Sequence, residues 1–170
     1  KSDRSISSEE RNKLLARVTF SEGLGSLLDR VERMNWLSSI FIEQLNLSQQ
    51  ITGYLTRATQ LCKHDLVSQM VIEFPELQGV IGGKYLLGEG EEREVALAVL
   101  EHYLPRGAGD SLPFSEAGSV LALVERFELL LSIFAKGDRP TGSSDPYGLR
   151  RAGNGIMQIL CSKGLKLNVL

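Results

Sequence analysis

Apolar residues recur along most of this chain at spacings of three and four, the signature of helices that turn one face to a core. From about Ser26 to Leu45, such a stripe runs through Leu27, Val31, Met34, Phe41 and Leu45, and Asn46 suits the cap beyond it. Val120, Leu123, Phe127, Leu130 and Phe134 trace another, the strongest amphipathic pattern in the sequence. Between the two, the run VALAVL within Arg93 to Tyr103 is apolar all round and predicts the most enclosed helix, which Leu104-Pro105 stops. An N-terminal helix to about Val18 opens on Ser7 and Glu10, spaced as a capping box. The last helix runs to about Cys161, with Asp145 at N-cap and Pro146 at N1. Trp36 is read as a packing residue. Alternation of apolar and polar positions nowhere persists long enough to define a sheet, so the pattern predicts an all-α bundle.

The stretch from Leu61 to Tyr85 is the densest in chemistry. A third helix, capped by Ser48, is expected to extend to Phe74, with Cys62, Leu66, Met70 and Phe74 on its core face. Pro75 ends it, because proline disfavours a helical residue before it and has no amide hydrogen. A short helix follows, in which Gly79, Gly82 and Gly83 allow a turn after Leu77 or a close approach of helices.

At 170 residues, 42% of them hydrophobic and 24% charged, the chain suits a single domain over 1–170. No run of 18 apolar residues and no secretory signal occurs, which excludes a helical membrane span and points to the cytoplasm. The lack of an initiator Met and the ending SKGLKLNVL read as a piece of a longer polypeptide. Cys62 and Cys161 lie far apart and are expected to be buried thiols. Net charge is −2 but uneven: positions 146–170 hold Arg150, Arg151, Lys163 and Lys166 and no acid, leaving the first 145 residues at −6. That asymmetry is compatible with a basic face meeting phosphates.

His64-Asp65 invites comparison with HD-type metal-dependent phosphohydrolases, which bind metal through histidines and aspartates from separate helices. His102 is the only other histidine and none precedes the pair, so the donor set is short and no metal ligand is assigned. His64 is placed toward the surface and Asp65 within the bundle. The loop GDRPTGSSD lacks the Gly-Lys-Ser/Thr end of a nucleotide cradle, no base is placed beside a serine nucleophile, and Glu73 with Glu76 reads as solvated acids at a helix junction. No catalytic residue is assigned.

Three blocks, KHDLVSQMVIEFPELQG, EHYLPR and PTGSSDPYGLRRA, in this order and spacing closely resemble the beta subunit of the two-subunit, bacterial-type glycyl-tRNA synthetase. Lys63, Asp65 and Leu66 match the family's K-x-D-L, and Gly142, Ser143, Asp145, Pro146, Leu149, Arg150 and Arg151 match its G-S-K-D-P-F-x-L-R-R. Ser144 replaces the usual Lys, Tyr147 replaces Phe, and VERFE at Val124 to Glu128 stands for A-D-K-x-D. The resemblance implies an HD-like helical bundle without the enzyme's metal ligands, a non-catalytic part of a glycine–tRNA ligase that supports tRNA binding and assembly. It implies the alpha subunit, tRNA(Gly) and the remainder of the beta subunit as partners, no cofactor in this segment, and ATP with Mg for the holoenzyme. Lys136, Arg139, Arg150 and Arg151 are the expected tRNA contacts, and Lys63, Asp65, Glu73, Pro75, Gly79 and Asp145 the structural motif. The competing readings are an HD-type phosphohydrolase and a helical protein-interaction module.

Overall fold

Sequence periodicity becomes eight helices in the computed structural model, which describes residues 2–141 and 144–168, Ser2 and Arg4 by backbone alone. They are α1 Ser8–Leu14, α2 Leu27–Leu45, α3 Gln49–Leu61, α4 Gln69–Glu73, α5 Val80–Glu89, α6 Arg93–Glu101, α7 Glu116–Lys136 and α8 Leu149–Lys163. Among the described residues there is no strand, only an isolated bridge between Thr19 and Ser26, and the fold is all-α. Helix α7 is the axis, packed against α2, α3, α6 and α8, while α5 lies on α6. The core joins Met34 and Phe41 of α2, Leu55 and Leu61 of α3, Val99 of α6, the run from Val120 to Val124, and Ile159.

Local chemistry explains where these helices start and stop. Ser7 and Glu10 form the expected capping box, the Ser7 hydroxyl accepting from the Glu10 amide and the Glu10 carboxylate from that of Ser7. Ser26 and Asp29 repeat the device at α2, which ends on Asn46 in the left-handed conformation (φ 48°). Helix α1 stops at Leu14, and a 3-10 turn from Leu15 to Arg17 carries the chain on to Val18.

Several expectations are corrected. The third helix ends at Leu61, not Phe74: Lys63 leaves helical geometry (φ −111°, ψ 0°), His64–Val67 is a 3-10 turn, and Ser68 caps the short α4. Cys62 and Phe74 therefore share no helical stripe, and Met70 and Phe74 are exposed. Pro75 opens a 3-10 turn, Pro75–Leu77. The most enclosed helix is α7 rather than the VALAVL helix, because every residue from Ala117 to Arg126 is buried; further along its stripe Phe134 is exposed. Trp36 is 65% exposed rather than packed, and Cys161 is exposed while Cys62 is buried. Helix α8 begins at Leu149, so neither Asp145 nor Pro146 holds its expected cap position.

Candidate functional site

Lys63 lies at the centre of a buried polar network that the break after α3 creates. Its ammonium donates to His102 Nε2 (3.1 Å), to the Tyr103 hydroxyl (2.9 Å) and to Glu125 Oε1 (3.2 Å), which uses all three of its protons. His102 accepts on Nε2 and so carries its proton on Nδ1, which donates to the Val99 carbonyl. Glu125 also takes Arg30 Nη2 (2.8 Å), and Arg30 and Arg33 of α2 both donate to Glu128. Burial opposes every charge here, but the cations win at Glu125: Lys63 and Arg30 hold its carboxyl well below the ordinary range. Burial pulls Lys63 down, and Glu125 more than reverses that. Burial, helped by the Lys63 charge, drives His102 well below the usual histidine value, so it stays neutral.

His64 and Asp65 belong to a second network, one turn along. His64 is fully buried, not surface-facing, because Arg11 of α1 is buried against it. Arg11 Nε donates to His64 Nδ1 (3.2 Å), so Nε2 carries the proton and donates to the Gly82 carbonyl (3.3 Å). Burial, then the Arg11 charge, lowers its pKa to about 4. Asp65 stays inside the bundle as expected, its Oδ2 accepting from the amides of Gly79 (2.7 Å) and Gly82 (3.0 Å). Gly79 (φ 78°) begins α5 in a conformation that favours glycine, and a Cβ on Gly82 would meet that carboxylate at 3.0 Å. Both ring nitrogens of His64 and one oxygen of Asp65 are thus spent on protein, and among the described residues no three His, Cys, Asp or Glu side chains are placed to hold a metal. Glu73 and Pro75 are exposed and lie outside both networks.

The expected cationic contacts fall on two faces. Lys136 ends α7, where its ammonium pairs with Asp138 (3.3 Å) and lies 3.4 Å from the Tyr147 hydroxyl. Arg139 is exposed on the loop that follows, and Arg150 folds its guanidinium back onto the Thr141 carbonyl of the same loop. Arg151, about 100° around α8, points elsewhere, into a cleft of about 320 Å³ shared with Tyr103, Arg106, Glu125, Arg126 and Tyr147. Neither Arg150 nor Arg151 pairs with the buried acids Asp65 and Glu125, which are held by other groups. Asp145 still caps α8, from upstream of a left-handed Gly148 (φ 68°): its carboxylate accepts from the amides of Leu149 (2.7 Å) and Arg150 (3.0 Å). Gly142 and Ser143, part of the same motif, lie outside the described residues.

Sequence reasoning missed Arg11, Arg30 and the pairing of Lys63 with Glu125, 62 residues apart. A signal was present for two of them: Arg30 interrupts the apolar stripe of α2 between Leu27 and Met34, and Glu125 and Glu128 interrupt the buried face of α7. A cation on one core stripe and two acids on another are complementary.

The glycyl-tRNA synthetase beta subunit family model matches residues 1–170. The chain is 47% identical over 99% of its length to the glycine–tRNA ligase beta subunit of Acaryochloris marina, 50% over 91% to that of Trichodesmium erythraeum, and 42% over 98% to that of Halalkalibacterium halodurans. It spans only 22 to 24% of the length of these curated relatives. The Lys63, Asp65 and Asp145 positions, each with a defined structural task, and an identity that runs through nearly the whole domain lead to one conclusion: the chain belongs to the glycyl-tRNA synthetase beta subunit family.

Proposed function

We propose that this domain is a non-catalytic part of a cytoplasmic glycine–tRNA ligase, supporting tRNA binding and assembly with the alpha subunit and the rest of the beta subunit. The observation that carries the reading is the family match over the whole chain. The exposed cations Lys136, Arg139, Arg150 and Arg151, at the end of α7, in the loop and at the start of α8, are the tRNA contacts. Charging requires ATP with Mg²⁺, and we assign both to the remainder of the enzyme. The donors here do not fit a metal: His64 and Asp65 are engaged by Arg11 and by backbone groups. Asp65 Oδ1 is the one side-chain oxygen of the pair left without a hydrogen-bond partner, and with no third ligand beside it among the described residues it does not make a phosphohydrolase site. Among the described residues no helix is long and apolar enough to cross a membrane.

The test uses the complete alpha–beta complex with Lys136, Arg139 and Arg150 changed together to Ala. The KM for tRNA in aminoacylation rises several-fold while glycine-dependent ATP–pyrophosphate exchange is unchanged, because activation takes place elsewhere. Unchanged tRNA kinetics would overturn the placing of the contacts, and equal losses in both assays would mean that the face acts on the activation site instead.

A further inference from the structure

The cleft beside α8 borders the Lys63 network only through Tyr103 and Glu125, and three guanidiniums face one acid across it. It opens between the connection after α6, the middle of α7 and the start of α8, and its volume of about 320 Å³ is in the range of small-ligand sites. Three guanidiniums border it and differ in what they have left to give. Arg126 spends all four terminal N–H groups on the carbonyls of His102, Ala122, Tyr103 and Pro105, and its Nε lies against Gly155 of α8, so it supplies mainly charge. Arg106 gives Nη1 to Glu76 O (2.5 Å) and Nη2 to Gln78 O (2.7 Å), and a guanidinium has five N–H donors, so some remain. Arg151 is exposed and makes no side-chain hydrogen bond among the described residues, with Asp145 the acid near enough to feel its charge. The one acid in the wall, Glu125, is already held by Lys63 and Arg30. Burial lowers the pKa of Arg126, Glu125 partly offsets that, and the nearby Arg151 charge adds to the lowering, so the two cations lie within each other's field.

We propose that this cleft seats one unpaired nucleotide of an RNA, its phosphate on Arg151 with Arg106 and Arg126 behind it, and its base against the Tyr147 ring. The inference rests on the reading that this domain meets tRNA and deepens it by assigning a second kind of contact. Exposed side chains such as Arg139 suit the convex backbone of a duplex. A walled recess excludes a stacked pair but admits a single splayed nucleotide, and RNA readers commonly take unstacked bases on aromatic rings. Arginine suits the phosphate because its planar fork donates two parallel hydrogen bonds to it. A free nucleotide offers the same chemistry, so the experiment has to separate the two.

The complete alpha–beta complex is titrated with tRNA(Gly) over a salt series, as wild type, Arg151→Ala and Arg151→Lys, and each is probed by phosphate-ethylation interference and by AMP titration. Arg151→Ala lowers tRNA affinity several-fold at low salt and reduces the salt slope by about 0.7, the share of one single-strand phosphate, with no change in melting temperature. Ethylation of a phosphate at an unpaired position weakens the wild type and makes no further difference to Arg151→Ala, and Arg151→Lys recovers part of the affinity. An identical interference pattern in wild type and Arg151→Ala would sink the proposal, as would an Arg151-dependent phosphate inside a stem. Loss of AMP binding with tRNA binding intact would assign the cleft to a free nucleotide and likewise overturn it. If substitutions at Lys136, Arg139 and Arg150 weaken tRNA binding while Arg151→Ala does not, only the cleft assignment falls. If none of the four matters, the tRNA reading of this face falls with it.

Discussion

His64 and His102 are two buried histidines held neutral by opposite tautomers, one accepting on Nδ1 and the other on Nε2. Their protonation links stability to pH. The folded pKa of His64 is about 4 against an ordinary 6.5, so between these values the unfolded chain takes up a proton that the folded protein refuses. Stability from this group is therefore complete above pH 6.5 and lost as pH falls toward 4, by about 3 kcal/mol at 1.36 kcal/mol per unit. His102, also lowered, acts in the same direction. Glu125, whose carboxyl is depressed, adds a loss that sets in as pH falls through its ordinary value, while Asp65, raised by burial, takes up its proton above its own ordinary value and there offsets part of the histidine loss. Urea unfolding at pH 7, 6 and 5 should show a falling midpoint, and the fall should be shallower in His64→Gln. A midpoint independent of pH across this range would show that the histidines are not enclosed. None of this is legible from the sequence, where His64 reads as a surface residue. Its burial depends on Arg11, 53 positions away, and no local pattern announces a guanidinium folded over an imidazole.

At the scale of elements, helix ends are readable in the sequence and helix continuity is not. Ser7, Asn46 and Ser48 mark their termini because a cap is decided by one side chain and the amides beside it. Periodicity carries the third helix through Lys63 because Cys62, Leu66, Met70 and Phe74 keep the helical repeat across a real break. The break follows from Lys63 and Asp65 turning inward to Glu125 and to the amides of α5, a tertiary demand that outweighs the local repeat. Ser68, which accepts from the Val71 amide and restarts the helix, is the local sign of it. The paired glycines do mark a contact surface, as their spacing suggests. A Cβ on Gly83 would meet the Ala96 carbonyl at 2.6 Å and Leu100 Cβ at 3.0 Å, so α5 and α6 are as close as their backbones permit. Gly83→Ala gains about 0.5–1 kcal/mol of helix propensity, but overpacking against backbone costs about 1–3 kcal/mol. The net effect is a loss of stability, to be measured by thermal melting beside Gly88→Ala, where a Cβ meets nothing within 4 Å and the gain should appear alone. Equal shifts for the two variants would mean that α5 can slide away from α6.

Across the whole molecule, interior charge and surface charge do separate work. The interior holds Arg11, Arg30, Lys63, Glu125 and Glu128 in fixed pairs that bind the N-terminal half of the chain to α7 and α5. The exposed cations of 136–151 lie instead at the end of α7, on the loop that Arg150 braces through Thr141, and at the start of α8. The division predicts a double dissociation in the complete complex. Arg11→Met strips the hydrogen bonds from His64, Ser8 and Glu89 on the side away from α8, and Glu89 keeps a third of its side chain in water. The loss should therefore be about 2–3 kcal/mol, below the ~3–5 kcal/mol of a fully enclosed pair. Far below its lowered melting temperature this variant should bind tRNA as the wild type does. Arg150→Ala should do the reverse: little change in melting temperature, weaker tRNA binding, and a salt slope reduced by about 0.7–0.9, the share of a single phosphate. The measurements are thermal melts and tRNA titrations on the same two proteins. Weaker tRNA binding by folded Arg11→Met would show that the interior pairs set the shape of the binding face. A lowered melting point with intact affinity in Arg150→Ala would reduce that residue to a brace for its own loop.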